Sequence, residues 1–225
     1  MSLRFMSAGA AQGLVDAIAR EYDVPVGGTF GAVGAMLEKL DAGEPADIVI
    51  LTRAQVERLA AQSRVLPQSV SDLGIVPTAI AVRISDAAPD VASGAGLRAA
   101  LIAADAIHFP DPGKATAGIH FDKVVDRLGI RSEVHARLRT FPNGASAMRA
   151  LAGAGGHPIG CTQATEILAT PGVRLVGPLP PGFELDTVYT AAVHAHATDR
   201  NAAAAFVQKL TGMATRRRRT AAGFR

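Results

Sequence analysis

The sequence predicts an α/β fold with mostly parallel sheets, built as two lobes. Three observations carry this. Short apolar runs of strand length alternate with helical stripes along the whole chain, the mark of α/β architecture. Several of these strands lead through a turn of small residues straight into a helix. Two long apolar strands, at 75–83 and 187–193, split the chain into a middle block and two flanking blocks.

The first strand is the apolar run at 3–6. Residues 7–12 form a turn of small residues, and Leu14, Val15, Ile18 and Ala19 recur at helical spacing after it. A helix start leaves backbone N–H groups without intrahelical partners and carries partial positive charge. Small residues let a ligand reach those groups, so Ser7, read as an N-cap hydroxyl, and Ala8 make an anion pocket. The arrangement recurs: a strand at 24–26, a Gly/Ala turn over 29–35 containing Ala32 and Val33, and a helix at 36–40. The clearest strand is 45–51, a continuous apolar run fit for burial on both faces. Thr52 ends it as the cap of a helix over 53–64, placing Arg53 at the same strand-carboxyl edge as Ser7, where a guanidinium suits a carboxylate or oxyanion.

Beyond the strand at 75–83, a Pro/Asp/Ser loop (86–93), an Ala-rich helix (94–104) and a short strand (106–109) follow. The glycine-punctuated loop 111–118 then opens a helix over 119–128, with Thr116 and Ala117 as donors, and Gly129 stops it. A strand is expected over 134–141, a turn at 142–144 and a helix at 145–152. The strand 158–162 runs into a helix at 163–168 through Thr162 and Gln163. Strands at 173–177 and 187–193 and a helix at 201–213 complete the pattern, and 216–224 forms a last helical piece. The expected lobes are residues 1–79 with 190–225, and 80–189.

Composition narrows the function classes. With 225 residues, 48% hydrophobic and 4% aromatic, the chain has ample core of small aliphatic type. Net charge is +3, and much of the excess is the run Arg216-Arg217-Arg218-Arg219, read as a solvated helix face. No basic face with interleaved aromatics is visible, so no nucleic-acid partner is expected. Nothing approaches the ~20 apolar residues of a membrane span. Cys161 is the single cysteine, so no internal disulfide forms. Gly28, Gly31 and Gly34 do not fit G-x-G-x-x-G, and Gly113-Lys114-Ala115 lacks the features of a P-loop. No leader pattern is visible, which points to the cytoplasm unless a leader was removed.

Catalytic signals are sparse. Asp47, Glu166, His108, His120 and Tyr189 are the groups able to act as acid or base, each with a plain structural reading beside it. His120 follows the third loop and is the best placed. His194 and His196 put two imidazoles on one strand face, but no third zinc ligand lies at suitable spacing, so no metal and no cofactor are expected.

In order, Met6-Ser7-Ala8-Gly9-Ala10, Phe30-Gly31-Ala32-Val33-Gly34-Ala35-Met36, Pro45-Ala46-Asp47-Ile48-Val49-Ile50-Leu51-Thr52 and Asp111-Pro112-Gly113-Lys114 form a recognisable set. With Gly160-Cys161-Thr162-Gln163-Ala164-Thr165-Glu166-Ile167 and Val188-Tyr189-Thr190-Ala191-Ala192-Val193, the chain resembles the molybdate-type extracellular solute-binding proteins of ABC transporters. The resemblance implies a type II periplasmic-binding-protein fold: two α/β lobes, two hinge strands and a ligand held in the cleft by helix N-termini. It also implies a small anionic ligand, an ABC transporter permease as partner, a monomer and, if a leader preceded it, a periplasmic location. Ser7 matches the family's first-loop serine, Ala117 a backbone donor of the third loop, and Tyr189 a tyrosine whose hydroxyl reaches the oxyanion. Thr162 and Gln163 fall where the fourth loop approaches the ligand. The second loop departs: Gly31-Ala32-Val33 has no hydroxyl, leaving only the amides of Ala32 and Val33. Losing one charge-assisted hydrogen bond costs about 1.5–3 kcal/mol. Arg53 compensates or marks a carboxylate ligand, and the subgroup looks similar to a branch with aconitate-isomerase-like members. Beside binding for transport, two alternatives therefore stand: isomerisation of a small unsaturated acid, and oxyanion sensing or storage in the cytosol.

Overall fold

The computed structural model describes residues 2–225. The chain divides into two compact units, Met1–Val76 with Thr187–Arg225, and Pro77–Asp186. The first opens with β1 (Leu3–Ala8), α1 (Gln12–Ala19), β2 (Val26–Gly31), α2 (Val33–Asp41), β3 (Ile48–Thr52) and α3 (Arg53–Ala61). β4 (Ser71–Arg83) carries the chain into the second unit. That unit holds α4 (Gly94–Ala103), β5 (Ile107–Pro110), α5 (Thr116–Arg127), α6 (Arg131–Val134), β6 (Leu138–Phe141), α7 (Gly144–Ala152), β7 (Ile159–Gln163), α8 (Ala164–Leu168) and β8 (Val173–Pro178). β9 (Asp186–Val193) returns to the first unit, followed by α9 (Arg200–Thr211) and α10 (Arg216–Ala221).

In the first unit the strands lie in the order β2-β1-β3-β9. β1 pairs parallel with β2 and β3, and β9 is antiparallel to β3. Ile48, Val49, Ile50 and Leu51 are wholly buried, as a strand covered on both faces requires. Leu14, Val15 and Ile18 of α1 and Phe206 and Leu210 of α9 are buried as well, and Phe206 meets Tyr22 edge-on at 4.9 Å. Each such side chain contributes about 1.5–3 kcal/mol by leaving water. In the second unit β7, β5 and β6 are parallel, and β4 is antiparallel to both β7 and β8. Its core gathers Ile80, Leu97, Leu101, Ile107, Phe109 and Phe121.

Four expectations need correction. The second strand is Val26–Gly31, in register from Leu3↔Val26 to Ala8↔Gly31, so the expected turn over 29–35 is strand up to Gly31 and helix from Val33, with Ala32 alone between them. Its glycines hid it, yet Gly28 is there for contact: a Cβ would lie 2.0 Å from the Phe5 carbonyl oxygen. Residues 131–137 are helical, and only Leu138–Phe141 is strand. Helices α2 and α5 begin three residues earlier than expected, at Val33 and Thr116. The arginine run is not uniformly solvated. Arg219 Nη1 donates to the carbonyls of Leu210 and Gly212 at 3.0 and 2.8 Å, closing the C-terminal end of α9. Among the described residues no helix is long and apolar enough to cross a membrane.

Candidate functional site

In the first unit, three parallel strands deliver three helix starts to one sheet edge. β1 ends at Ala8 and passes through a 3-10 turn, Gly9–Ala11, into α1. β2 ends at Gly31, and Ala32 caps α2 with Val33 as its first residue. β3 ends at Thr52, which caps α3 with Arg53 as its first residue, and Tyr189 of β9 stands opposite Thr52. None of Ala8, Ala32 and Thr52 makes a side-chain capping hydrogen bond. Ser7 differs from its expected role. It lies inside β1, one residue before the cap, fully buried, and its hydroxyl donates to the Ala8 carbonyl at 3.0 Å. Tyr189 is buried too. Arg53 is already engaged: its Nε donates to Asp72 Oδ1 at 3.2 Å and its Nη2 pairs with Asp72 Oδ2.

In the second unit, β5, β6 and β7 deliver helix starts in the same sense. Ala115 caps α5 without a side-chain bond, and Thr116 and Ala117 open its first turn. The loop before it is shaped by Asp111, whose Oδ1 accepts from the Gly113 amide at 2.6 Å. β6 leads to α7, capped by Asn143, whose Oδ1 accepts from the Ser146 amide at 2.8 Å. β7 ends at Gln163, the cap residue of the short α8. Thr162 is buried, and its hydroxyl donates to Glu166 Oε2 at 2.6 Å, so it is spent within the protein.

Glu166 organises this edge. One of the candidate acid–base groups, it is 7% exposed. It is hydrogen-bonded by Thr162 and by the amides of Gln163, Ala145 and Gly144. Burial nevertheless outweighs those bonds and pushes its carboxyl above the ordinary range. Gly144 is there because the carboxylate fills its side-chain space: a Cβ would lie 1.9 Å from Glu166 Oε2 and 2.1 Å from Thr162 Oγ1. The sequence signal for this start was Pro142-Asn143-Gly144, an Asn cap read only as a turn.

The same edge holds Thr78, opposite Gln163 in the β4–β7 pairing and 1% exposed. Among the described residues its hydroxyl meets no hydrogen-bond partner. A buried unpaired polar group costs about 1–3 kcal/mol. Thr78→Val keeps the shape and removes the group, so it should raise the melting temperature of the unliganded protein by about 2–4 °C for each kcal/mol recovered. Scanning calorimetry of the variant checks this, and a fall would show that the hydroxyl is satisfied in solution.

The remaining acid–base groups are tied into the scaffold. Asp47 accepts from the amides of Arg4 and Thr198, each at 2.8 Å. His120 Nε2 lies 2.7 Å from the Phe183 carbonyl oxygen. His108 is buried and stacked on Phe141, with its pKa lowered first by burial and then by Arg139. β9 ends at Val193, so His194 and His196 lie past the strand, with His194 Nδ1 accepting from the His196 amide at 3.4 Å. Among the described residues no three His, Cys, Asp or Glu side chains are grouped to hold a metal ion.

Comparison with known proteins places this geometry. The chain is 25% identical over 219 residues to an aconitate isomerase of a Pseudomonas species, covering 93% of this chain and 82% of that protein. The periplasmic molybdate-binding protein of Azotobacter vinelandii superposes with a TM-score of 0.81 at 19% identity, covering 100% of this chain and 99% of that one. The sulfate-binding protein SubI of Mycobacterium tuberculosis gives 0.75 at 19% identity, covering 100% and 86%. These likenesses establish the two-lobed α/β fold of periplasmic binding proteins. Residues 3–225 match the family profile of bacterial extracellular solute-binding proteins, and the chain belongs to that family.

Proposed function

We propose that the protein binds a small anion outside the cytoplasmic membrane and hands it to an ABC transporter permease. The observation that carries this reading is the contrast in helix capping. The starts of α2, α3 and α5 follow strand carboxyl ends with no side-chain cap. By contrast Ser93 caps α4, accepting from the Gly96 amide at 3.0 Å, and Asp199 caps α9, accepting from the Ala202 amide at 2.9 Å; of the helices that start at these edges, α7 is the one with a side-chain cap, Asn143. A helix start left uncapped at the carboxyl end of a strand supplies neutral N–H donors and partial positive charge to an anion. The donors we assign are the amides of Ala8, Ala32, Val33, Thr116 and Ala117, with Ser7, Thr162, Gln163 and Tyr189 around them. The solved relatives named above for molybdate and sulfate support an oxyanion of that size.

A thermal-shift panel of molybdate, tungstate, sulfate, phosphate, citrate and both aconitate isomers tests this. An anion at about 100 times its Kd adds about 2.7 kcal/mol, a rise of roughly 5–10 °C for a chain of this size. Tyr189→Phe should weaken binding of the anion that gives the shift by about 1–2 kcal/mol, whereas Ser7→Ala, whose hydroxyl is already bonded to the Ala8 carbonyl, should change the affinity less. No shift with any of the seven compounds removes the reading.

The aconitate isomerase relative supports a second reading, isomerisation of a small unsaturated carboxylic acid on the same scaffold. Such a reaction needs a base beside the carbon acid and donors for the developing enolate. Incubation with aconitate in heavy water decides it: deuterium incorporation supports the isomerase, and its complete absence removes it.

A further inference from the structure

We propose that Asp72 determines which anions this protein accepts, by masking the one arginine that opens a helix on the binding edge of the first unit; this rests on the anion-binding reading above. Arg53 is the first residue of α3. A cation there opposes the helix dipole, so helix stability does not call for it. Its side chain is 49% exposed, so packing does not call for it either. What holds it is Asp72, which takes both Nε and Nη2 of the guanidinium. The same Asp72 Oδ1 accepts from the hydroxyl of Thr190 at 2.6 Å. Thr190 is wholly buried in β9, next to Tyr189. One carboxylate thus joins α3, β4 and β9.

The consequence is chemical. A paired guanidinium fork is the natural receptor for a carboxylate, and here the protein's own carboxylate already sits in it. The charges cancel, and what the edge offers outward is the neutral N–H donor set of its helix starts. A compact tetrahedral oxyanion is satisfied by such donors. A polycarboxylate that needs the fork must evict Asp72 and leave that carboxylate beside its own like charge. Asp72 therefore selects compact oxyanions over citrate-like ligands, and Arg53 serves chiefly to neutralise Asp72.

The experiment is a four-protein cycle: wild type, Asp72→Asn, Arg53→Met and the double variant, each titrated calorimetrically with molybdate and with citrate. Asp72→Asn frees the fork, and the citrate-to-molybdate affinity ratio should rise about tenfold or more, the worth of one charge-assisted hydrogen bond. Arg53→Met leaves Asp72 uncompensated, and molybdate should weaken about tenfold by the same measure. The double variant should recover most of that loss, a reversal that plain damage to the fold does not produce. An unchanged ratio in Asp72→Asn, or no recovery in the double variant, overturns the inference. If Asp72→Asn fails to fold, the comparison of Arg53→Met with the double variant decides alone. Wild type binding citrate more tightly than molybdate overturns this inference and leaves the anion reading standing. Binding of neither anion by any of the four overturns this inference, and the anion reading falls with it only if the other five compounds of the panel also give no shift.

Discussion

Glu166→Ala lowers the melting temperature by about 10 °C or more. The carboxylate is buried and accepts from Thr162 Oγ1 and from the amides of Gln163, Ala145 and Gly144. Removing the acceptor strands four donors where water has poor access. Breaking a buried charged cluster from one side costs about 3–5 kcal/mol, and each kcal/mol is worth about 2–4 °C at this chain length. A loss under about 2 °C by scanning calorimetry, less than one kcal/mol, would mean that water enters and replaces the carboxylate. Glu166→Gln isolates the charge. Because burial raises the carboxyl pKa in the folded protein, its stabilising contribution is full below the ordinary carboxylate pKa. It is lost as pH rises through the raised folded value. The stability of wild type relative to Glu166→Gln should therefore fall as pH rises through that window, and a flat difference would mean that the four donors cancel the cost of burial.

That cluster also shows where reading the sequence stops. The α/β class was legible because the strands that matter most are continuous apolar runs: Ile48 to Leu51 in β3 and Ala79 to Val82 in β4 have little to be except buried strand. Strand-to-helix starts were legible from small residues between a strand and a helical stripe. The second strand was misplaced because Gly27 and Gly28 argue against a strand locally, and only the close approach of Phe5 explains Gly28. Single hydroxyls were not legible at all. Ser7 and Thr162 have the composition of ligand donors, yet each is committed to a neighbour, Ala8 or Glu166. Arg53 is placed correctly by its spacing, but its partner Asp72 is 19 residues away and joined to Thr190 another 118 residues on. Spacing reveals which residues share a sheet edge; it does not reveal which of their polar atoms are already taken.

The second large effect is expected at Gly118, in the first turn of α5. A Cβ there would lie 2.2 Å from the Pro110 carbonyl oxygen and 2.4 Å from that of Asp111. Both obstacles are backbone, so no rotamer change relieves them. In Gly118→Ala the start of α5 must withdraw from the end of β5, taking Thr116 and Ala117 with it. Overpacking of this kind costs about 1–3 kcal/mol, a fall of roughly 3–10 °C. The same displacement moves the α5 amides away from the proposed anion, so affinity for whichever oxyanion shifts wild type should fall about a hundredfold, the worth of two hydrogen bonds to a charged group. Gly113→Ala in the same loop is the matched control, because its nearest obstacle is Asp111 Oδ1 at 3.2 Å, a side-chain atom able to yield. It should cost little in either measurement. Loss of stability with affinity intact in Gly118→Ala would mean that α5 packs the unit but does not donate to the ligand. Loss of affinity in Gly118→Ala alone would make the first turn of α5 a donor to the ligand.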